Sequence, residues 1–424
     1  MHIIHSMNEN HSHTELKYKH RWLAPLLRKA AKTHPIIVLT GARQVGKSTL
    51  LRQELPFSKW RYHTLDDLEA LARSRQDPTS LWAGAHRIVL DEVQKSANLL
   101  EAVKAEVDAN PGKYRFILSG SANLLLMKKI SESLAGRAVY FTLYPMTIGE
   151  LAELSPPNLL PSLFAGHFPN ERKISSQLDP FSIMWKGLMP ALLKFESTAA
   201  VLQWWEGYVV TYLERDLRQL SQIDSLPDFR RLMMALALRS GQILNQTSVA
   251  GDIAVSQPSV HRYINLLETS YLVERLPAYA VSRSKRLVKA PKLIWSDTGL
   301  ACFLAGLFAP DALKSSREAG GLFESLIYLQ LNALGQLLTP KPRLFYWRTT
   351  TGKEIDFILE WGRKIIAIEV KLSNKPQFSD TETLRLFLEE YPETAAGILV
   401  HTGNEVKIMG RNIIAVPWTL FGGF

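Results

Sequence analysis

Along the chain, short continuous apolar runs alternate with longer stretches whose apolar residues recur at helical spacing. PIIVLT (35–40) is a β-branched run, HRIVLDEVQK (86–95) and YRFILSGSAN (114–123) begin with apolar runs, each predicting a strand, and LLRQEL after the first reads as helix. Residues 155–183 are Pro-rich and polar in patches, which predicts a linker or mobile loop over 156–198. From about 199 the pattern turns helical (AAVLQWWEGYVVTYLERDLRQL), with Trp204, Trp205, Tyr208 and Tyr212 at helical spacing, as core or as a stacking platform. VAGDIA, the capped turn Ser256-Gln257-Pro258, SVHRYINLLE and YLVERLPAY then predict helix, turn, second helix and β-wing. After residue 301 come a helix (320–338), a strand (342–347), a hairpin (354–372), a helix (380–391) and a strand (395–401), the order α-β-β-β-α-β, followed by the strand pair EVKIM and NIIAVPW.

A length of 424 residues allows two or three domains with cores of their own, and 46% hydrophobic with 21% charged residues is a globular balance. Apolar runs stay well short of the ~18 residues that a membrane-spanning helix needs. The first 20 residues lack an apolar signal core; their five histidines could bind metal, but they read as a disordered tail. One cysteine, Cys302, forms no internal disulfide and predicts a buried small hydrophobe in a reducing, cytoplasmic setting. Net charge is +10, which favours polyanionic partners such as nucleic acid.

The strongest local chemistry is GARQVGKSTL (41–50). Its G-x-x-x-x-G-K-S pattern between strand and helix predicts a phosphate-binding loop. Gly41, Gln44, Val45, Gly46, Lys47, Ser48 and Thr49 would hold a nucleotide, with Lys47 on the β- and γ-phosphates and Ser48 on Mg²⁺. The strand 86–91 ends in Asp91-Glu92, where Asp91 can hold Mg²⁺ through water and Glu92 can polarise the attacking water. Ser119 and Ser121 end the next strand, as γ-phosphate sensors or helix caps. Arg137 reads as an arginine finger, in cis or toward a neighbouring subunit, or equally as a surface ion-pair residue. In the winged-helix segment, Arg262 and the run Arg283, Lys285, Arg286, Lys289 and Lys292 form a candidate phosphate-contacting surface, or a winged helix used for protein packing.

The hairpin EIDFILEWGRKIIAIEVKL (354–372) raises a problem of charge. Centring its turn on Gly362-Arg363 pairs Trp361 with Lys364 and sets Asp356 opposite Glu369, with Lys371 on the same face. Two facing carboxylates repel, and a divalent cation would remove that cost by taking both as ligands. Lys371 could then stabilise developing charge. D-x₁₂-E-x-K is also the spacing of the PD-(D/E)XK nuclease core, in which Glu324 on the preceding helix matches an extra acidic ligand.

GARQVGKSTL, VLDEVQK, LSGSANLLL, ESLAGRAVYFTLYPMT, YLERDL, KLIWSDTGLA, GGLFESLIY and EIDF…IEVK occur in an order that resembles a prokaryotic family joining an AAA-like ATPase domain to a C-terminal domain of unknown function. The resemblance spans roughly residues 20 to 420. It implies an α/β architecture: a P-loop AAA-like ATPase domain (21–155), a helical and winged-helix middle (199–300) and a restriction-endonuclease-like end (301–424). It supports Lys47, Ser48, Asp91 and Glu92 as the nucleotide site and strengthens Arg137 as a functional residue. Glu324, Asp356, Glu369 and Lys371 fall in the family's nuclease-like pattern. The expected cofactors are ATP and Mg²⁺. Expected partners are nucleic acid (DNA) or further copies of the chain, with no membrane. The expected function is an ATPase that couples nucleotide state to nucleic-acid binding and cleavage; the alternative is an ATP-gated scaffold whose nuclease-like domain is inactive and binds a protein.

Overall fold

The structure, a computed structural model, describes residues 18–120, 134–216, 223–280, 286 and 289–424. Side chains at 213–216 are not described. Ser121, Arg283, Lys285 and the histidines at 2, 5, 11 and 13 lie outside the described residues, as does nearly all of the expected tail.

The predicted apolar runs become the middle of a five-stranded parallel sheet. Its strands are β1 (Ile36–Thr40), β2 (Arg61–Thr64), β3 (Arg87–Asp91), β4 (Arg115–Ser119) and β5 (Ala138–Thr142), in the order β2-β3-β4-β1-β5. Side chains alternate between faces, so each strand feeds two cores. Ile37, Leu39, Val89 and Ile117 face one way; Ile36, Val38, Ile88, Leu90, Phe116 and Leu118 face the other. That double burial is why these runs are apolar throughout rather than alternating. All five strands run the same way, so Thr40, Thr64, Asp91, Ser119 and Thr142 gather at one edge of the sheet. Ligands bind at such carboxyl edges in open α/β sheets.

Residues 156–198, expected as a linker, are instead packed structure. A helix Leu159–Phe164 buries Leu159, Leu160, Leu163 and Phe164, and a second helix Pro180–Lys186 buries Met184 and Trp185. Between them β6 (Arg172–Lys173) joins a sheet far along the chain. Pro180 opens the second helix, where its missing N–H costs nothing, and Pro161 lies in the first turn of the first.

The middle unit holds helices Leu226–Ala237, Gln246–Ile253 and Gln257–Thr269, then β7 (Val273–Leu276) paired antiparallel with β8 (Lys292–Trp295). The caps fall where the sequence put them: Ser256 accepts from the Ser259 amide, with Pro258 in the first turn. Trp205, Tyr208 and Tyr212 are core residues, each at most 3% exposed. Cys302 is fully buried.

The C-terminal unit has the predicted element order. Helix Ala319–Gln336 precedes an antiparallel meander of β9 (Arg343–Arg348), β10 (Glu354–Trp361) and β11 (Lys364–Lys371). Helix Glu382–Glu390 then leads to β12 (Thr394–His401), parallel to β11, and β13 (Glu405–Gly410) and β14 (Ile413–Pro417) complete the sheet. With β6 on its edge the order is β6-β13-β14-β12-β11-β10-β9. The hairpin register is the predicted one: Trp361 pairs with Lys364 and Phe357 with Ile368. Gly362 alone takes a positive φ (64°) in the turn, the pattern of a type II′ turn with glycine first. A register shift against β9 between Ile355 and Ile358 marks a bulge at Asp356, a device that re-aims a side chain.

Candidate functional site

The loop after β1 is shaped by its glycines. Gly41 has φ +142° and passes so close to Leu143 that a Cβ would lie 2.2 Å from its carbonyl oxygen. Gly46 (φ +95°) precedes the helix Lys47–Gln53, and Gln44 also takes positive φ. Lys47 is buried, and its ammonium donates to the carbonyls of Gly41 (2.9 Å) and Ala42 (2.8 Å). Burial pulls its pKa down to about 8, against the opposing pull of Glu92 and Asp91. Val45, fully buried, fixes the loop to the core.

Sequence reading missed what holds this loop. The Arg21 guanidinium is buried, donates to Val45 O (2.8 Å), Tyr144 O (2.7 Å) and Pro145 O (3.2 Å), and pairs with Glu150 at 3.1 Å. Val45 lies 24 residues away and Tyr144 and Pro145 more than a hundred, so no local pattern marks it.

At the sheet edge, buried Asp91 accepts from the Tyr62 hydroxyl and from the Glu92 amide (3.0 Å). Glu92 itself takes the left-handed conformation (φ 55°), rare for a non-glycine residue. Ser119 is fully buried, and its hydroxyl has no hydrogen-bond partner among the described residues. It ends the strand between β1 and β3, aligned with Leu39. Gln44, Gly46, Lys47, Ser48, Thr49 and Glu92 thus open onto one cavity of about 400 Å³. Met146, Pro190, Ala191 and Leu193 give it an apolar wall, the last three from the stretch expected to be a linker. The residues fit a nucleotide with its magnesium: an anion cradle of backbone, an ammonium, the Ser48 hydroxyl and the Glu92 carboxylate share one cavity, with buried Asp91 next to Glu92 at the sheet edge.

Arg137 is not part of it. It immediately precedes β5, whose Ala138 aligns with Ile36, so it sits a strand length from the loop, about 16 Å at roughly 3.3 Å per residue. Its guanidinium pairs with Asp108 (2.5 and 2.9 Å). A finger acting on its own chain's nucleotide is excluded by that placement.

The second predicted site holds a different arrangement from the one expected. The cation among the hairpin carboxylates is Lys292, from β8. The residue is 1% exposed, and its ammonium pairs with Glu354 (2.5 Å), Glu324 (3.0 Å) and Asp356 (3.1 Å). Asp356 gives its other oxygen to the Val370 amide (2.9 Å), while Glu369 accepts from Lys371 (2.6 Å) and buries its second oxygen with no partner among the described residues. Among the described residues no three His, Cys, Asp or Glu side chains group as a metal site. Burial and the Asp356 charge push the Glu324 and Glu369 carboxyls up to about 8. Burial opposes the charge on Lys292, but Glu324, Asp356 and Glu354 outweigh it and hold the ammonium protonated.

The same burial removes two residues from the expected nucleic-acid surface. Lys292 is one. Arg286 is the other: it is 8% exposed, paired with both oxygens of Glu360 (2.9 and 3.1 Å) and stacked on Tyr279 and Phe345. Lys289 is exposed, and Arg262 is exposed but paired with Asp224.

Residues 33–152 match the family described as AAA domain, 179–311 a domain of unknown function (DUF8612) and 319–421 another (DUF4143). An uncharacterized protein of Mycobacterium tuberculosis is 29% identical over 93% of this chain and 82% of its own, and one of Methanocaldococcus jannaschii 25% identical over 91% and 84%. Among solved structures, a Walker-type ATPase of Pyrococcus abyssi aligns at 15% identity and a TM-score of 0.43, over 68% of this chain and 99% of its own. The N-terminal third of the chain is therefore an AAA-type P-loop domain, joined to a C-terminal DUF4143 domain.

Proposed function

We propose that the chain is a Mg²⁺-dependent ATPase whose nucleotide state is coupled to nucleic-acid binding. The observation that carries the ATPase reading is the shared cavity of Lys47, Ser48 and Glu92 at the edge where β3 delivers Asp91. Lys47 exchanges its two carbonyl partners for phosphate oxygens. Ser48 and Asp91 hold the metal, which when bound neutralises charge developing on the phosphates. Glu92 polarises the attacking water, and the unpartnered Ser119 hydroxyl supports a γ-phosphate contact. Binding of a fluorescent ATP analogue and phosphate release test this: Lys47→Ala should lose binding, and Glu92→Gln should bind and not hydrolyse. Equal hydrolysis by wild type and Glu92→Gln sinks the assignment.

The middle unit supports a winged-helix reading through its three helices and the β7–β8 pair, and the C-terminal element order supports a PD-(D/E)XK-like reading. Within the latter, the Lys292 ammonium favours a domain that does not cut, and so the second reading: a nucleotide-gated scaffold. A metal-dependent cleavage assay decides. Cleavage that Asp356→Ala abolishes would restore the nuclease; equal products from both proteins, or none, leave the scaffold.

A further inference from the structure

At the end of the parallel sheet opposite the phosphate loop lies a second, wider cavity of about 1360 Å³. Strands β2, β3 and β4 begin there, with Arg61, Arg87 and Arg115 as their first residues. Arg28, Lys29 and Lys32 reach it from the helix Ala24–Thr33, and Lys59 and Lys113 from the loops before β2 and β4. Among the described residues, eight lysines or arginines line it and no aspartate or glutamate does.

Some of these cations are occupied. Arg28 pairs with Glu54 at 3.0 Å, Arg61 and Arg115 donate to backbone carbonyls, and Lys113 lies over the Tyr114 ring, 5.1 Å from its centre. Lys29, Lys32, Lys59 and Arg87 are exposed and have no ion-pair or hydrogen-bond partner among the described residues. A cavity that collects like charge without its own carboxylates lowers its energy by taking up an external anion. Its volume is more than three times that of the nucleotide cavity, and a single phosphate group, of charge about −2, would leave about half of the unpaired cations unneutralised. The wall also contains Trp60, whose indole N–H is buried without a hydrogen-bond partner among the described residues. A flat lipid surface cannot enter a concavity, whereas a phosphodiester backbone can thread one.

We propose that this cavity binds the backbone of a nucleic acid, independently of sequence, at the end of the AAA-type domain opposite the nucleotide. It deepens the reading above and rests on it only for the choice of polyanion. It also moves the contact surface away from the wing, where Lys292 and Arg286 are buried.

The test is fluorescence anisotropy of the full chain with a labelled mixed-sequence oligonucleotide, single-stranded and duplex, over a salt series. Four unpaired cations predict a log–log salt slope of about −3 to −4. Lys32→Glu/Lys59→Glu/Arg87→Glu should weaken binding at least tenfold and flatten the slope by about 2 to 3. Lys289→Glu, on the wing, should bind as the wild type does. ATP-analogue binding, measured on the same proteins, should be unchanged, which separates failure here from failure of the ATPase reading. The proposal is overturned if the wild type binds neither oligonucleotide at low salt. It is also overturned if the triple variant binds normally, if Lys289→Glu causes the loss instead, or if the chain sediments with phosphatidylserine vesicles but ignores nucleic acid.

Discussion

Replacing Lys292 with methionine keeps the apolar stem and removes only the ammonium. Three carboxylates at 2.5–3.1 Å then share a buried site without their cation. Deleting one partner of a buried ion pair costs about 3–5 kcal/mol, because the remaining charge is left uncompensated. At roughly 2 °C per kcal/mol for a chain of more than 200 residues, Tm should fall by about 6–10 °C at pH 8. The loss must also depend on pH. Below the raised carboxyl values the cluster can protonate and shed its repulsion, with each pKa unit worth about 1.4 kcal/mol. At pH 5 the deficit should therefore shrink to less than half. Differential scanning fluorimetry of both proteins from pH 5 to 8.5 reads this directly. An equal deficit at every pH would mean that Lys292 acts by packing, and no deficit would mean that the ion cluster contributes nothing.

Glu369, held at about 8 by burial and the Asp356 charge, should make the wild type less stable as pH rises. Its folded value lies above the unfolded one, so its contribution is whole below about 4.5 and is lost as pH rises through about 8. Glu369→Gln should flatten the urea midpoint across pH 6–8; an unchanged slope refutes the assignment. Arg21→Met removes the donors to Val45 and Tyr144 and should weaken ATP-analogue binding about tenfold, roughly 1.4 kcal/mol, with Lys47 intact. Calorimetric titration checks it, and wild-type affinity would show that the loop holds its shape alone.

The parts that were legible in the sequence are those whose determinants are contiguous. The phosphate loop is ten residues long and its glycines do local work, as Gly46 does at φ +95° directly before the helix Lys47–Gln53. The hairpin register follows from one two-residue turn, and the periodic switch from apolar runs to helical spacing gave the element order. Where partners come from distant segments, the reading failed. Lys292 looked like one of five surface cations because Glu324, Glu354 and Asp356 lie 32 to 64 residues further on. Arg286 looked exposed because Glu360 is 74 residues away. Residues 156–198 looked like a linker because prolines outweighed the apolar spacing of Leu159, Leu160 and Leu163, and because β6 pairs with a strand more than 230 residues downstream.

One buried apolar cluster runs from Trp22 and Leu39 of the AAA-type unit through Trp205, Leu267 and Trp295 to Phe357 and Phe421. Tyr271, at the end of the middle unit's last helix, donates to Thr40, the residue before Gly41. Machines that swing their parts on a hinge separate them by a solvated joint. Here the described residues mesh side chain to side chain, in interiors that shift between discrete packings rather than deform continuously. A nucleotide that moved Thr40 would therefore push on the whole packed body at once. Its signal would leave the chain as a small change of surface shape, read by whatever is bound to it, and not as a stroke of one domain against another.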